Sequence, residues 1–357
     1  MGDGGAAALV GLFGGTLLGL AARLGRFCTL GAIEDYFYGG KDLRLRMWAL
    51  AIGTAVIGSF ALIGLGLLSG TDSFYLASQW SPLASIVGGL VFGYGMAMAG
   101  NCGYGAVARL GGGDLRNFVI VVVMGISAYF AMSGPAAYLR IRLFPTPEVA
   151  SEPQGIAHWI ASMSGAPVAL VGILIGVALI ALALSAKSMR ESPKSIFWSV
   201  VVGVAVISAW AGTSWIARTG FDGTPVVSHT FAAPVGETIL FFMTSTGQTL
   251  SFAIGSVAGV WTGAFIGSLI KGHFRWEACE DPRELRRQIT GAAMMGVGAV
   301  IALGCSFGQG LSAFSLLSFS APVTFLAILA GSWLGLRHLI EGVFPSWGFG
   351  RGRSNES

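Results

Sequence analysis

The residues with the most chemistry in this sequence are three cysteines, each in a glycine-rich interruption just after an apolar run. Cys28 lies in Gly25-Arg26-Phe27-Cys28-Thr29-Leu30-Gly31, and Cys102 lies in Gly100-Asn101-Cys102-Gly103-Tyr104-Gly105. Cys305 lies in Gly304-Cys305-Ser306-Phe307-Gly308-Gln309-Gly310. A thiolate attacks electrophiles, binds metal or enters a disulfide, whereas a neutral thiol is a weak S–H donor. No CxxC or CxxH spacing occurs and no histidine cluster accompanies the cysteines, so neither a zinc site nor a disulfide framework is expected. Cys279, in the charged stretch Trp276-Glu277-Ala278-Cys279-Glu280-Asp281, reads as incidental.

The elements that hold these residues are set by composition. Of 357 residues, 54% are hydrophobic and 11% charged, where soluble domains carry about 25% charged. The 55 glycines sit inside apolar runs rather than in linkers. This excludes an ordinary cytosolic enzyme, a disordered chain and a DNA-binding domain, and leaves an all-α integral membrane protein. The net charge of +4 then reports on membrane orientation, and no nucleic-acid partner is expected.

Nine runs are long and apolar enough to read as spanning helices: 6–22, 47–68, 83–100, 117–139, 166–186, 195–217, 249–270, 288–304 and 319–340. They are apolar all round, unlike the alternating strands of a membrane barrel. Alternate connecting segments carry 18 Lys and Arg against 3 in the other set, Arg140, Arg142 and Arg218. This places the N-terminus outside and the C-terminus in the cytoplasm. Met1-Gly2-Asp3-Gly4-Gly5 has no basic region, so the first apolar stretch is expected to be retained.

Two stretches match at a near-constant offset. Gly93, Gly95, Ala99, Cys102 and Gly105 fall 203 residues before Gly296, Gly298, Ala302, Cys305 and Gly308. Ala51-Ile52-Gly53-Thr54 falls 202 before Ala253-Ile254-Gly255-Ser256. With spans 83–100 and 288–304 running in opposite directions, the repeat is inverted, a plan common among transporters with a site near the midplane. The chain divides into a first half, 1–140, a connecting segment with an extra span, 141–194, an inverted second half, 195–345, and a cytoplasmic tail, 346–357.

Glycine clusters beside Cys102 and Cys305 end their helices and free backbone groups, which a membrane tolerates only against protein or a water-lined cavity. Gly100, Asn101, Gly103, Gly304, Gly308 and Gln309 are therefore candidate pathway-loop residues. Short re-entrant helices meeting from opposite leaflets make an hourglass, with partly positive N-termini offered to an anion. No Lys or Arg follows Cys305 in its loop, so attraction there rests on backbone dipoles. The competing reading is close packing by the glycines, with the cysteines as small buried hydrophobes. Arg26 and Arg218 are candidate anion recruiters, and Gln248 is a second glutamine able to line a path. Glu237 opens a short apolar segment, 236–246, that is expected to be re-entrant, and snorkelling accounts for Arg337 and His338.

The segments GRFC, GNCGYG and MMGVGAVIALGCSFGQGLSA resemble the YeeE/YedE family of bacterial sulfur-transport membrane proteins, from the first helix to the last. The resemblance implies an hourglass of inverted halves in the bacterial inner membrane. It further implies uptake of thiosulfate or a related sulfur anion past three cysteines, here Cys28, Cys102 and Cys305, with no cofactor or metal. Some relatives carry a fused sulfur-carrier domain of TusA type. Only Pro345 to Ser357 follow the last span here, so a separate TusA-type carrier is implied as a partner. On this reading neutral thiols hand the anion inward by weak S–H bonds, from Cys305 to Cys102 to Cys28. The alternatives are a transporter of another sulfur, selenium or small anionic species, a membrane thiol-redox enzyme, and an assembly subunit.

Overall fold

The computed structural model describes residues 2–145, 149–277 and 281–342, so Cys279 and the tail 346–357 lie outside the described residues. Every expected apolar run falls on a helix. The first half contains α1 (Asp3–Leu24), α2 (Thr29–Phe37), α3 (Leu43–Gly64), the one-turn α4 (Phe74–Ala77), α5 (Pro82–Ala99), α6 (Gly103–Gly111), α7 (Arg116–Met132) and α8 (Ala136–Leu143). Connecting elements are α9 (Ile156–Ser164), α10 (Val168–Leu184) and α11 (Lys187–Arg190). Then come α12 (Pro193–Thr219), α13 (Ala232–Thr244), α14 (Phe252–Ile270), α15 (Pro282–Ile301) and α16 (Ser320–Glu341). Between α15 and α16 a helix over 306–315 contains a π-helical turn, Gly308–Ala313. Among the described residues β-structure is limited to isolated bridges such as Gly155–Ser318.

Among the described residues six segments are long and apolar enough to cross a membrane, or seven when the α7–α8 pair, bent by 62°, counts as one span. The expected nine included two weaker cases. α10 has only 17 residues, and α15 begins with Arg283, Glu284, Arg286 and Arg287 before its apolar part. The chain is a multi-pass membrane protein.

Lipid supplies no hydrophobic drive between helices, so helices associate by bringing backbones close. α1 and α14 do this with reciprocal glycines at helical spacing. Gly11, Gly15 and Gly19 face Phe252, Ser256 and Val260, while Gly255, Gly259 and Gly263 face Ala8, Leu12 and Thr16. A Cβ on Gly19 would lie 2.6 Å from the Ala264 nitrogen, so no larger residue fits without separating the pair. The matching order of contacts makes α1 and α14 parallel.

The helices matched by the sequence repeat, α5 and α15, pack antiparallel: Gly88 meets Ala302 at one end and Gly291 meets Ala99 at the other. α1 and α12 are also antiparallel, with Val10 against Gly212 and Gly25 against Trp198. The parallel α1–α14 contact has its counterpart in α3–α12, where Gly203 meets Thr54 and Gly58 meets Ile207. The offset of 203 also extends beyond the motif. α2 starts at Thr29 and α13 at Ala232, and the short helices after the paired cysteines start at Gly103 and at residue 306.

Candidate functional site

One backbone device presents all three cysteines. A long helix ends, a residue in the left-handed region turns the chain, and two positions later the cysteine precedes a short helix. The left-handed residues are Arg26 (φ 56°), Gly100 (φ 76°) and Leu303 (φ 55°). Glycine adopts this conformation freely, while Arg and Leu hold it at a cost of roughly 1–2 kcal/mol each. At Cys102 the sulfur accepts the Gly105 N–H at 3.3 Å, and at Cys305 it accepts the Gly308 N–H at 3.4 Å. These are the same N-cap bond to the third helical residue, made 203 positions apart. Cys28 caps α2 by position alone, without a side-chain bond to it. Each thiol thus stands where the backbone dipoles give a helix its partly positive end.

The three sites converge through residues that only tertiary structure brings together. The Thr29 hydroxyl lies 3.9 Å from Cys102 Sγ and 3.5 Å from Ser306 Oγ, which joins the first break to both the middle and the last. Cys305 Sγ also accepts the Phe231 N–H at 3.3 Å and lies 3.5 Å from Thr230 Oγ1. Cys102 and Cys305 are both buried, as are Thr29 and Ser306. Around them Tyr104, Phe231 and Phe307 form a closed aromatic trio, with ring centroids 5.1 to 5.4 Å apart. All three of these side chains are fully buried.

A cavity lies on either side of this plug. One, of about 650 Å³, is lined by Thr224, Ser228, Thr230, Ser251, Ser256 and the carboxylates Asp222 and Glu237, with no Lys or Arg among the described residues of its wall. The other, of about 530 Å³, is lined by Cys28, Gly100, Asn101, Gly105 and Glu34 with Arg23, Arg26, Arg44, Arg109, Lys271 and His273. Ala7 of α1 borders the first and Ala22 the second. Fifteen residues at 1.5 Å each separate them by about 22 Å, comparable to a bilayer core of about 30 Å. The cavities are called here the outer and inner vestibules, after the orientation expected from the basic residues.

The loop residues singled out in the sequence divide by role. Gly100 supplies the left-handed turn. Asn101 is buried, donates to Asn117 Oδ1 at 2.8 Å, and lines the inner vestibule with its own carbonyl oxygen unpartnered. Gly103 packs against the Met124 thioether. Gly308 leaves room for Thr230: a Cβ there would lie 2.6 Å from Thr230 Oγ1. Gln309 stitches the break rather than facing a vestibule. Its amide donates to the Ala302 and Leu303 carbonyls at 3.0 and 3.1 Å and accepts from Ser320 at 3.2 Å. Gly304 sits against that side chain.

Arg26 lines the inner vestibule. Arg218 is exposed in the last turn of α12 and is not among the residues lining the outer vestibule. Glu237 is the sixth residue of α13 rather than its first, and it accepts a hydrogen bond from Ser251. Sequence reasoning passed over Thr29, Thr230, Phe231 and Ser306. The available signal was the offset itself, since 203 added to Cys28 gives Phe231, which caps α13 as Cys28 caps α2.

The sequence profile of a family described as "Sulphur transport" matches residues 24–334. The chain is 26% identical to the thiosulfate transporter TsuA of Escherichia coli (strain K12), covering 95% of this chain and 94% of that one. It is 25% identical to the thiosulfate transporter TsuA of Spirochaeta thermophila, covering 90% and 96%.

Proposed function

The chain belongs to the sulphur transport family, and we propose that it carries thiosulfate or a closely related small sulfur anion inward across the bacterial inner membrane. The N-terminus is outside and the C-terminus cytoplasmic, and residues 1–140 and 195–345 form the two inverted halves of an hourglass. The observation that carries the reading is the shared presentation of three thiols on helix N-termini between two cavities at opposite ends of the α1–α14 pair.

The anion enters the outer vestibule, meets the Thr230 hydroxyl, and passes from Cys305 to Cys102 by way of Thr29 and Ser306. It leaves at Cys28, which lines the inner vestibule. At Cys305 backbone N–H groups occupy the sulfur as acceptor, so its S–H proton points to Thr230 Oγ1 or to a passing anion beside it. A neutral thiol donates weakly and does not repel a dianion as a thiolate does. Weak successive sites allow both capture and release. For passage Tyr104, Phe231 and Phe307 must part, so conduction requires a conformational step. The chain acts as a transporter rather than an enzyme, and a small TusA-type carrier receives sulfur at the inner face.

Purified protein in liposomes, supplied with radiolabelled thiosulfate and challenged with sulfate, sulfite or selenite, tests the proposal. Uptake above empty liposomes, competed least by sulfate, is expected. Uptake equal to empty liposomes refutes it, and preferential transport of selenite reassigns the substrate.

A further inference from the structure

Charge is distributed unequally between the two vestibules. Among the described residues, the outer wall carries two carboxylates and no Lys or Arg, whereas the inner wall carries five Lys or Arg and a single carboxylate, Glu34. Of the inner five, Arg44 is paired with Asp35 at 3.1 Å. Arg23, Arg26, Arg109 and Lys271 have no carboxylate within ion-pair distance among the described residues. Asp114 and Glu277 are both engaged by Arg116.

Two of these cations, Arg23 and Lys271, are held in place by the fold. Arg23 donates to the Arg109 carbonyl at 3.4 Å, and its guanidinium lies against Gly112, where any side chain would collide with it. Its Nε is buried and has no partner. Lys271 donates to the Arg23 carbonyl, capping the end of α1. Burial, with Arg26, Arg23 and Lys194 nearby, draws the Lys271 ammonium below its ordinary value. Arg26 is exposed at the cavity wall, on a left-handed turn of the backbone just after α1. Mutually repelling cations around one cavity, with donors left over, lack a multivalent counter-charge.

We propose that the inner vestibule is a binding site for a tetrahedral oxyanion of charge −2. Arg26, Arg109 and Lys271 contact the anion, and Arg23 positions Arg109 and Lys271. The site rests on the transport reading only for its purpose, which is to receive the anion after Cys28. Its chemistry fits a free sulfate-like anion or the phosphate of an anionic lipid headgroup.

The test is equilibrium binding of radiolabelled inorganic sulfate to the whole protein in phosphatidylcholine nanodiscs, and in discs containing added phosphatidylglycerol. Saturable binding that weakens with sodium chloride is expected, at least tenfold weaker in R26Q/K271Q. Competition by phosphatidylglycerol that disappears in R26Q/K271Q assigns the same site to lipid phosphate. No saturable binding in neutral discs, or equal binding by R26Q/K271Q, overturns the proposal. C102A separates it from the transport reading. If that variant loses uptake and keeps sulfate binding, both stand. If it transports normally while binding persists, the thiol path fails and this site remains.

Discussion

Replacing Cys305 tests the handover mechanism most directly, because the structure fixes what the sulfur touches. In C305A the buried Phe231 and Gly308 N–H groups lose their shared acceptor, and Thr230 at the edge of the outer vestibule loses its sulfur partner. Unsatisfied buried donors cost about 1–3 kcal/mol, so C305A is expected to lower stability by about that amount while still inserting. For transport, a hydrogen bond to a charged group is worth about 1.5–3 kcal/mol. At about 1.4 kcal/mol per factor of ten, losing it slows a step limited at this position by roughly 10- to 150-fold. C305S keeps a donor and an acceptor at nearly the same place and should recover most of the rate. The assay is initial thiosulfate uptake into proteoliposomes, normalised to inserted protein, at substrate well below saturation. If C305A runs within twofold of the unmodified protein, or C305S is as slow as C305A although both are folded, the sulfur is not a transport donor.

Gly308→Ala drives a methyl group towards Thr230 Oγ1; displacement of that hydroxyl should cost about 1–3 kcal/mol and sharply reduce uptake, whereas unchanged uptake would remove Thr230 from the path. Arg26→Gly relieves the left-handed strain against a smaller entropic cost, a net gain of about 1 kcal/mol or less. Thermal unfolding in detergent should therefore rise while sulfate binding at the inner vestibule falls, and a fall in both would mean that Arg26 packing outweighs the strain. Glu237→Gln removes one of the two carboxylates lining the outer vestibule and should raise uptake severalfold at low ionic strength, an advantage that disappears in high salt. A ratio insensitive to salt counts against an electrostatic origin. Lys271 is charged below its lowered value and neutral above it, so sulfate binding should decline as pH rises through that value. In K271R the decline should be absent, because Arg stays protonated, and an identical decline would place the titrating group elsewhere.

Local sequence determined where this chain enters and leaves helix. Apolar runs set the long helices, and glycine at 100 broke one of them, because backbone geometry and hydrophobic length are properties of contiguous residues. The inverted pairing of α5 with α15 was legible for the same reason, through repeated spacing. Packing between distant residues decided the rest. Leu303 and Arg26 reach left-handed turns that their residue types disfavour, since the surrounding helices fix the chain on both sides. Gln309, polar and beside a cysteine, donates to the carbonyls freed by the break. Arg218 ended outside the vestibule lining. Thr29 reached Ser306, 277 residues away, and Phe231 reached Cys305, because close helix packing brings the breaks into one place. Such meetings depend on how backbones approach in three dimensions, and no spacing within a single segment encodes them.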